Sequence, residues 1–65
     1  MFFTLKDATT VLMSEGFLYK GKTVKLRTVK TMADNGCFKS LKFCDCGQSF
    51  VVSIDEVEKI ARQES

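Results

Sequence analysis

Cys44 and Cys46 are separated by one residue and followed by Gly47, and chemistry would first be sought at this pair. Structural zinc is held by four Cys or His ligands, most often as two pairs. The sequence contains no His and only one further cysteine, Cys37. We therefore expect no metal site within one chain, although a homodimer could bring two Cys44 and Cys46 pairs together around a bridging zinc ion.

Redox chemistry is not expected of this pair either. Redox-active cysteines are typically spaced Cys-x-x-Cys at the start of a helix, whereas these two border a predicted turn at Asp45-Cys46-Gly47. The simpler interpretation is that Gly47 serves the turn and that the cysteines are free thiols or small filler residues.

The remaining residue types disfavour catalysis. Without His the chain has no Ser-His or Cys-His pair and no imidazole base. The carboxylates of Asp55, Glu56 and Glu58 cluster at the predicted start of a helix, where the helix dipole accounts for them. No glycine-rich phosphate loop is present. We therefore predict a protein that is not an enzyme and needs no cofactor.

The charge is distributed unevenly along the chain. The net charge is +2, but residues 16–44 carry seven Lys or Arg against Asp34 alone. Residues 45–65 carry two Lys or Arg against five Asp or Glu. The chain is thus basic in its middle and acidic at its end, which bears on its partners rather than on its fold.

Composition places the chain among small globular proteins. It has 65 residues, of which 45% are hydrophobic and 28% charged, so one domain over 1–65 is expected. No apolar run approaches the roughly 20 residues that span a bilayer, and the first residues lack a signal-peptide pattern. The odd number of cysteines agrees with a reducing compartment. We expect a cytoplasmic protein that does not bind membranes.

Local patterns predict two helices. The first begins at a capping box formed by Thr4 and Asp7, and apolar residues follow it at helical spacing. The second begins at a similar box formed by Ser53 and Glu56. The predicted ranges are 5–15 and 54–63.

Three strands are predicted between these helices. Val24, Leu26 and Thr28 alternate with Lys25, Arg27 and Val29, which is the two-residue repeat of a half-buried strand. Asn35-Gly36 is typical of a two-residue hairpin turn, because both of its residues accept positive φ. A turn at Lys20-Gly21 could connect a short additional strand to the first of the three. The predicted strands are 22–33, 37–44 and 48–54, with the short one at 17–19.

These elements predict an α+β fold in the order helix, three-stranded antiparallel meander, helix (αβββα), with both helices on one face of the sheet. The order is similar to that of the double-stranded RNA-binding domain, and the resemblance covers topology and length alone. That family places basic residues at the start of its second helix, where this sequence has Asp55 and Glu56, so no residue role carries over.

The predicted hairpin register leaves one sheet face open and basic. No acidic side chain falls on that face, and Phe38 would offer a ring on which a nucleic-acid base or a partner side chain could stack. The candidate partner-binding residues are Lys25, Arg27, Val29, Phe38 and Lys42.

The leading functional hypothesis is a small non-catalytic binding module. It would regulate or inhibit a larger protein with an acidic surface by docking the open basic face or a sheet edge, as accessory proteins of viruses and mobile elements do. The alternative is a nucleic-acid-binding module that uses the same face. The third hypothesis is a small structural homodimer, which zinc could bridge through Cys44 and Cys46.

Overall fold

The computed structural model describes residues 1–62, which form three helices and five short strands. The predicted α+β class is confirmed, but the predicted order αβββα is wrong. In chain order the elements are β1 (Phe2–Thr4), α1 (Leu5–Ser14), β2 (Leu18–Tyr19), β3 (Lys22–Thr23), α2 (Leu26–Asp34), β4 (Lys42–Cys44), β5 (Ser49–Ser53) and α3 (Ile54–Arg62).

The strands form two antiparallel sheets rather than one meander. The larger sheet has the order β1-β5-β4, so the first strand of the chain pairs with the last one. Phe3 faces Val52 across β1 and β5, and Phe43 faces Phe50 across β4 and β5. The smaller sheet is the β2–β3 hairpin. The predicted pairing of residues 22–33 with 37–44 does not occur.

Residues 26–33 of the predicted strand 22–33 belong to helix α2 instead, so the strand prediction is wrong for most of its length. Val29, Met32 and Ala33 recur at the spacing of one helical face, and all three are buried in the core. The alternation that predicted a strand runs from the buried Val24 to Val29 and so extends into the start of α2, whereas the strand itself is confined to Lys22–Thr23. Burying three apolar side chains against α1 outweighs the local preference of the β-branched residues for a strand.

Asn35-Gly36 ends α2 and does not turn a hairpin. Asn35 is the C-cap, and Gly36 follows it with a φ of 81°. The amide of Cys37 donates to the Met32 carbonyl at 2.9 Å, and the amide of Gly36 donates to the Ala33 carbonyl at 3.1 Å. These two bonds form a Schellman motif, in which glycine accepts positive φ as readily as it does in a hairpin turn.

The core is built around α1, which packs against α2 and α3 and also contacts the larger sheet. Ala8 and Leu12 of α1 are completely buried. Val29 and Phe38, which were predicted to lie on an open sheet face, also belong to this core, with 0% and 3% of their surfaces exposed. Their predicted placement is wrong because one lies on the inner face of α2 and the other on the segment that follows it.

The two terminal helices agree closely with the predictions. The predicted helix 5–15 is α1, and the Asp7 amide donates to the Thr4 hydroxyl at 3.1 Å, as the capping box requires. The predicted helix 54–63 is α3 as far as Arg62, and residue 63 lies outside the described residues. The box predicted at Ser53 and Glu56 does not form, because the Ser53 amide donates to the Ser40 hydroxyl instead.

Hydrogen bonds to Glu56 hold the segment between α2 and β4 against α3. Its carboxylate accepts from the Lys39 amide at 2.9 Å and from the Ser40 amide at 3.0 Å, and it also accepts from the Ser40 hydroxyl. Partial burial by itself would raise the pKa of Glu56. The hydrogen bonds from Ser40 and Lys39 and the nearby Lys39 charge outweigh it and lower this pKa below its ordinary value.

Replacing Glu56 with Gln should lower the free energy of unfolding by about 1 kcal/mol, because the hydrogen bonds lose the help of the negative charge. Glu58→Gln, at an exposed position of the same helix, should change it by less than about 0.5 kcal/mol. Urea unfolding followed by circular dichroism measures both changes. Equal effects of the two substitutions would contradict this role of Glu56.

The stability difference between the wild type and the Glu56→Gln variant should also depend on pH. A carboxyl group whose pKa is lowered by folding stabilises the native state above its unfolded-state pKa, and this contribution is lost as the pH falls through the folded-state pKa. The difference should therefore be largest near neutral pH and shrink below the ordinary value of 4.5. A difference that stays constant down to about pH 3 would contradict the assignment.

Phe38→Leu should lower the free energy of unfolding by about 1–2 kcal/mol, because it leaves a space in the core. The matched change Phe43→Leu, at a side chain that is 52% exposed, should have a much smaller effect. The comparison distinguishes a core residue from a surface anchor, and it is made by urea unfolding of both variants.

Candidate functional site

A shallow groove lies between the β2–β3 hairpin and α2. Its lining contains four Lys or Arg side chains and no carboxylate, so an anion entering it would meet positive charge from both walls. We call it the basic groove. The residues that line it are Tyr19, Lys20, Lys22, Thr23, Lys25, Arg27, Thr28 and Thr31.

The hairpin that forms one wall has a two-residue turn. Lys20 and Gly21 both have positive φ, 53° and 80°, as a type I′ turn requires. The short strand predicted at 17–19 and its turn at Lys20-Gly21 are thus confirmed as the β2–β3 hairpin. The Lys20 ammonium nitrogen lies 5.4 Å from the centroid of the Tyr19 ring, within the range of a cation–π contact.

The other wall is the exposed face of α2. Arg27, Lys30 and Thr31 are exposed at the i, i+3 and i+4 spacing of one helical face, opposite the stripe that enters the core. Lys30 extends the positive charge along the helix beyond the groove. We call the five cations of this region the basic surface: Lys20, Lys22, Lys25, Arg27 and Lys30.

The start of α2 differs from the starts of the other two helices. Its N-cap residue is Lys25, which makes no side-chain capping hydrogen bond, and its first turn contains no acidic residue. The first turn of α1 has Asp7, and that of α3 has Asp55 and Glu56. Because the first amides of a helix carry partial positive charge, cations at this position cost stability and add to the attraction for an anion.

The predicted partner-binding residues do not form one surface. Lys25 and Arg27 both line the basic groove, whereas Val29 and Phe38 are core residues. Lys42 faces Val51 in the register of the larger sheet, on the side opposite Phe3 and Val52. Its ammonium nitrogen lies 4.0 Å from the centroid of the Phe2 ring.

The sequence prediction missed Lys30 of α2, and it missed Tyr19, Lys20 and Lys22 of the hairpin. The three hairpin residues stand in the stretch of positive charge and beside the turn signal Lys20-Gly21, so composition and turn chemistry together could have identified them. What the sequence did not reveal is that this hairpin lies beside a helix. Once α2 is a helix, Arg27 lies across the groove from the hairpin lysines.

The cysteines fall into two groups. Cys37 follows the end of α2, while Cys44 ends β4 and Cys46 lies in the turn after it, and all three are free thiols. The strand that was expected to separate Cys37 from Cys44 is only three residues long. Within residues 1–62, no three His, Cys, Asp or Glu side chains are grouped so as to hold a metal ion.

A second exposed feature is a pair of aromatic rings near the edge of the larger sheet. Phe43 and Phe50 pack edge to face with their ring centroids 5.3 Å apart, and about half of each side chain is exposed. They share a sheet face with Val52, which is completely buried, whereas this pair is only partly covered.

Comparisons with protein-family models, with curated proteins and with solved structures find no match to this chain. In the described part of the chain, no helix is long and apolar enough to cross a membrane. The basic surface is therefore interpreted from its own geometry.

Lys25→Asn should raise the free energy of unfolding by about 0.5–2 kcal/mol, because Asn is a favourable N-cap and the substitution removes a cation from the helix start. Lys25 has the extended backbone of an N-cap, with φ −130° and ψ 175°, so Asn fits without rearrangement. The matched control is Lys22→Asn in the hairpin. Urea unfolding should show a higher free energy of unfolding for Lys25→Asn but not for Lys22→Asn. An unchanged free energy for Lys25→Asn would contradict the conclusion that α2 begins without a side-chain cap.

Proposed function

We propose that this chain is a non-catalytic nucleic-acid-binding protein that contacts duplex DNA through the basic surface. The observation that carries the proposal is the groove between the β2–β3 hairpin and α2, with four cations and no carboxylate in its lining. Of the functions that the sequence suggests, this one has the better geometric support. The open basic sheet face that was predicted for both protein docking and nucleic-acid binding does not form, because Val29 and Phe38 lie in the core, whereas the groove keeps Lys25 and Arg27 together.

The cations of the basic surface suit a phosphate backbone. Lys and Arg that neutralise phosphates release condensed counterions, which makes such binding strongly dependent on salt. Lys20 and Lys22 would approach a strand from the hairpin side, and Lys25 from the start of α2. The amides at the start of that helix add hydrogen-bond donors for a phosphate oxygen.

Helix α2 is a suitable element for the major groove. An α-helix with its side chains is about 10–12 Å across, and the major groove of B-DNA is about 12 Å wide. Arg27, Lys30 and Thr31 project from its exposed face, and Arg and Lys side chains commonly contact guanine in that groove. The second helix of a helix-turn-helix motif is used in this way. Here residues 15–25 join α1 to α2 and include the β2–β3 hairpin.

No carboxylate lines the basic groove, and the acidic residue of α2 is Asp34, which is exposed at the C-terminal end of the helix, one turn beyond Lys30. Asp55, Glu56 and Glu58 belong to the N-terminal half of α3, and α1 packs against both α3 and α2. The charge asymmetry along the sequence therefore becomes an asymmetry between the first half of α2, which carries Arg27 and Lys30, and the first half of α3. Such a distribution would orient the molecule with α2 towards a polyanion.

A second candidate function is docking on a larger protein through a sheet edge. It is supported by β4, which is an edge strand of the larger sheet and carries the exposed Phe43. Exposed edges and uncovered aromatic rings are features by which proteins bind extended segments of partners. In this case Phe43 and Phe50 would be contact residues, and the cations of α2 would only steer the encounter.

The double substitution Arg27→Glu and Lys30→Glu tests the proposed function. With a fluorescently labelled 20-base-pair duplex, it should weaken binding by roughly 10- to 100-fold in low salt and reduce the salt slope by about two. The matched control Lys6→Glu with Lys59→Glu makes the same change in net charge on α1 and α3, and it should have a much smaller effect. Anisotropy titrations at several salt concentrations measure both.

Two results would contradict nucleic-acid binding by this surface. The first is equal weakening by the two double variants, since binding would then depend on net charge alone. The second is a wild type that does not bind the duplex even in low salt. Phe43→Ser adds a further arm, because it should leave duplex binding unchanged and would weaken a complex formed through the sheet edge.

A further inference from the structure

The β4–β5 hairpin carries two thiols that nucleic-acid binding by the basic surface does not use. Cys44 is the last residue of β4 and faces Ser49 of β5, and four residues form the loop between them, 45–48. Cys44 is partly accessible and Cys46 is exposed. A small oxidant can therefore reach the pair from solvent.

The Cys44 thiol lies where β4 enters the 45–48 loop, and groups of that loop favour its thiolate form. The backbone amides of Gly47 and Cys46 have the largest effect on the pKa of the Cys44 thiol and lower it. The Cys46 thiol and the Lys42 ammonium also lower this pKa. Partial burial has the opposite effect, but the donors outweigh it and lower the pKa of the Cys44 thiol below its ordinary value. The thiolate is the reactive form of cysteine, and backbone amides and nearby cations stabilise it.

The second thiol gives the pair a different chemistry from a single reactive cysteine. Cysteines that sense oxidants are typically accessible, stabilised as thiolates and placed beside a resolving cysteine. The Cys46 side chain is close enough to Cys44 to act as a hydrogen-bond partner. The Cys-x-Cys spacing differs from the Cys-x-x-Cys of helix-start redox pairs, and here both cysteines lie at a hairpin turn, separated by one residue.

We propose that Cys44 and Cys46 form a redox-responsive dithiol site at the β4–β5 loop, in which a hydroperoxide oxidises Cys44 and Cys46 resolves the product as an intramolecular disulfide. This goes beyond the proposed nucleic-acid binding and does not rest on it. Cys37 serves as an internal comparison, because it lies at the end of α2 and its thiol is not among the groups that act on Cys44.

The reaction proceeds in two balanced steps. The Cys44 thiolate attacks one oxygen of hydrogen peroxide, so that a sulfur–oxygen bond forms, the oxygen–oxygen bond breaks, and the departing hydroxide takes up a proton as water. The Cys46 thiol then attacks the sulfenic sulfur of Cys44, forming the disulfide. The second water leaves with the sulfenic oxygen and the Cys46 proton. Two thiols lose two electrons, and the peroxide gains them.

Trypsin places Cys37 in a different peptide from Cys44 and Cys46, so the oxidation state of the pair can be read separately from that of Cys37. Cleavage after Lys and Arg places Cys37 in the peptide 31–39 and the other two cysteines together in the peptide 43–59. The native protein is treated with about one equivalent of hydrogen peroxide, alkylated with iodoacetamide and digested without reductant. We expect the peptide 43–59 to lose two hydrogen masses and escape alkylation, while the peptide 31–39 remains fully alkylated.

Variants assign the roles within the pair. In Cys46→Ser the sulfenic acid of Cys44 should persist and be trapped by dimedone, whereas Cys44→Ser should react at least about threefold more slowly with peroxide. Alkylation of the wild type without peroxide needs no variant and should modify Cys44 faster than Cys46. Oxidation of Cys37 at the same rate, disulfides only between chains, or equal rates for the two variants would overturn the proposal.

Discussion

The burial of Val29, Met32 and Ala33 is the constraint on which the rest of the structure depends. These side chains fix residues 26–34 as a helix and hold it on α1. The helix then has a solvent face by geometry alone, and that face presents Arg27 and Lys30. Had the same residues formed a strand, Val29 would have shared a surface with Lys25 and Arg27, and Phe38 would have been an exposed anchor. The apolar stripe therefore determines which cations can act together.

Much of the framework could be predicted from the sequence because it is encoded locally. The capping residues Thr4 and Asp7 mark α1, and the turn at Lys20-Gly21 marks the first hairpin. The centre could not be predicted in this way, because residues 22–33 contain a short alternating stretch followed by a helical one, and a single window averages the two periods. Asn35-Gly36 adds a further ambiguity, since a glycine with positive φ ends a helix as readily as it turns a hairpin. Packing against α1, which is not local, decides between these outcomes.

The residues of the candidate site divide in the same way into those that the sequence reveals locally and those that only the tertiary fold brings together. Lys25 and Arg27 were identified because the excess of positive charge is visible in composition, and both line the basic groove. Tyr19 and the hairpin lysines were missed because their proximity to α2 is a property of the tertiary fold. Cations thus predominate on the hairpin and in the first half of α2, while carboxylates gather at the start of α3. Glu56 uses its charge internally to hold the segment that leads from the core residue Phe38 to β4.

The central claim is that the hairpin and α2 form one surface for nucleic acid. The most direct test is a titration of the isotopically labelled protein with a short DNA duplex, followed by amide NMR shifts at low and moderate salt. We expect the largest shifts on residues 19–31, a decrease of these shifts as salt rises, and nearly unchanged amides in α3. Shifts concentrated on β4 and β5, or spread evenly over the chain, would contradict this claim.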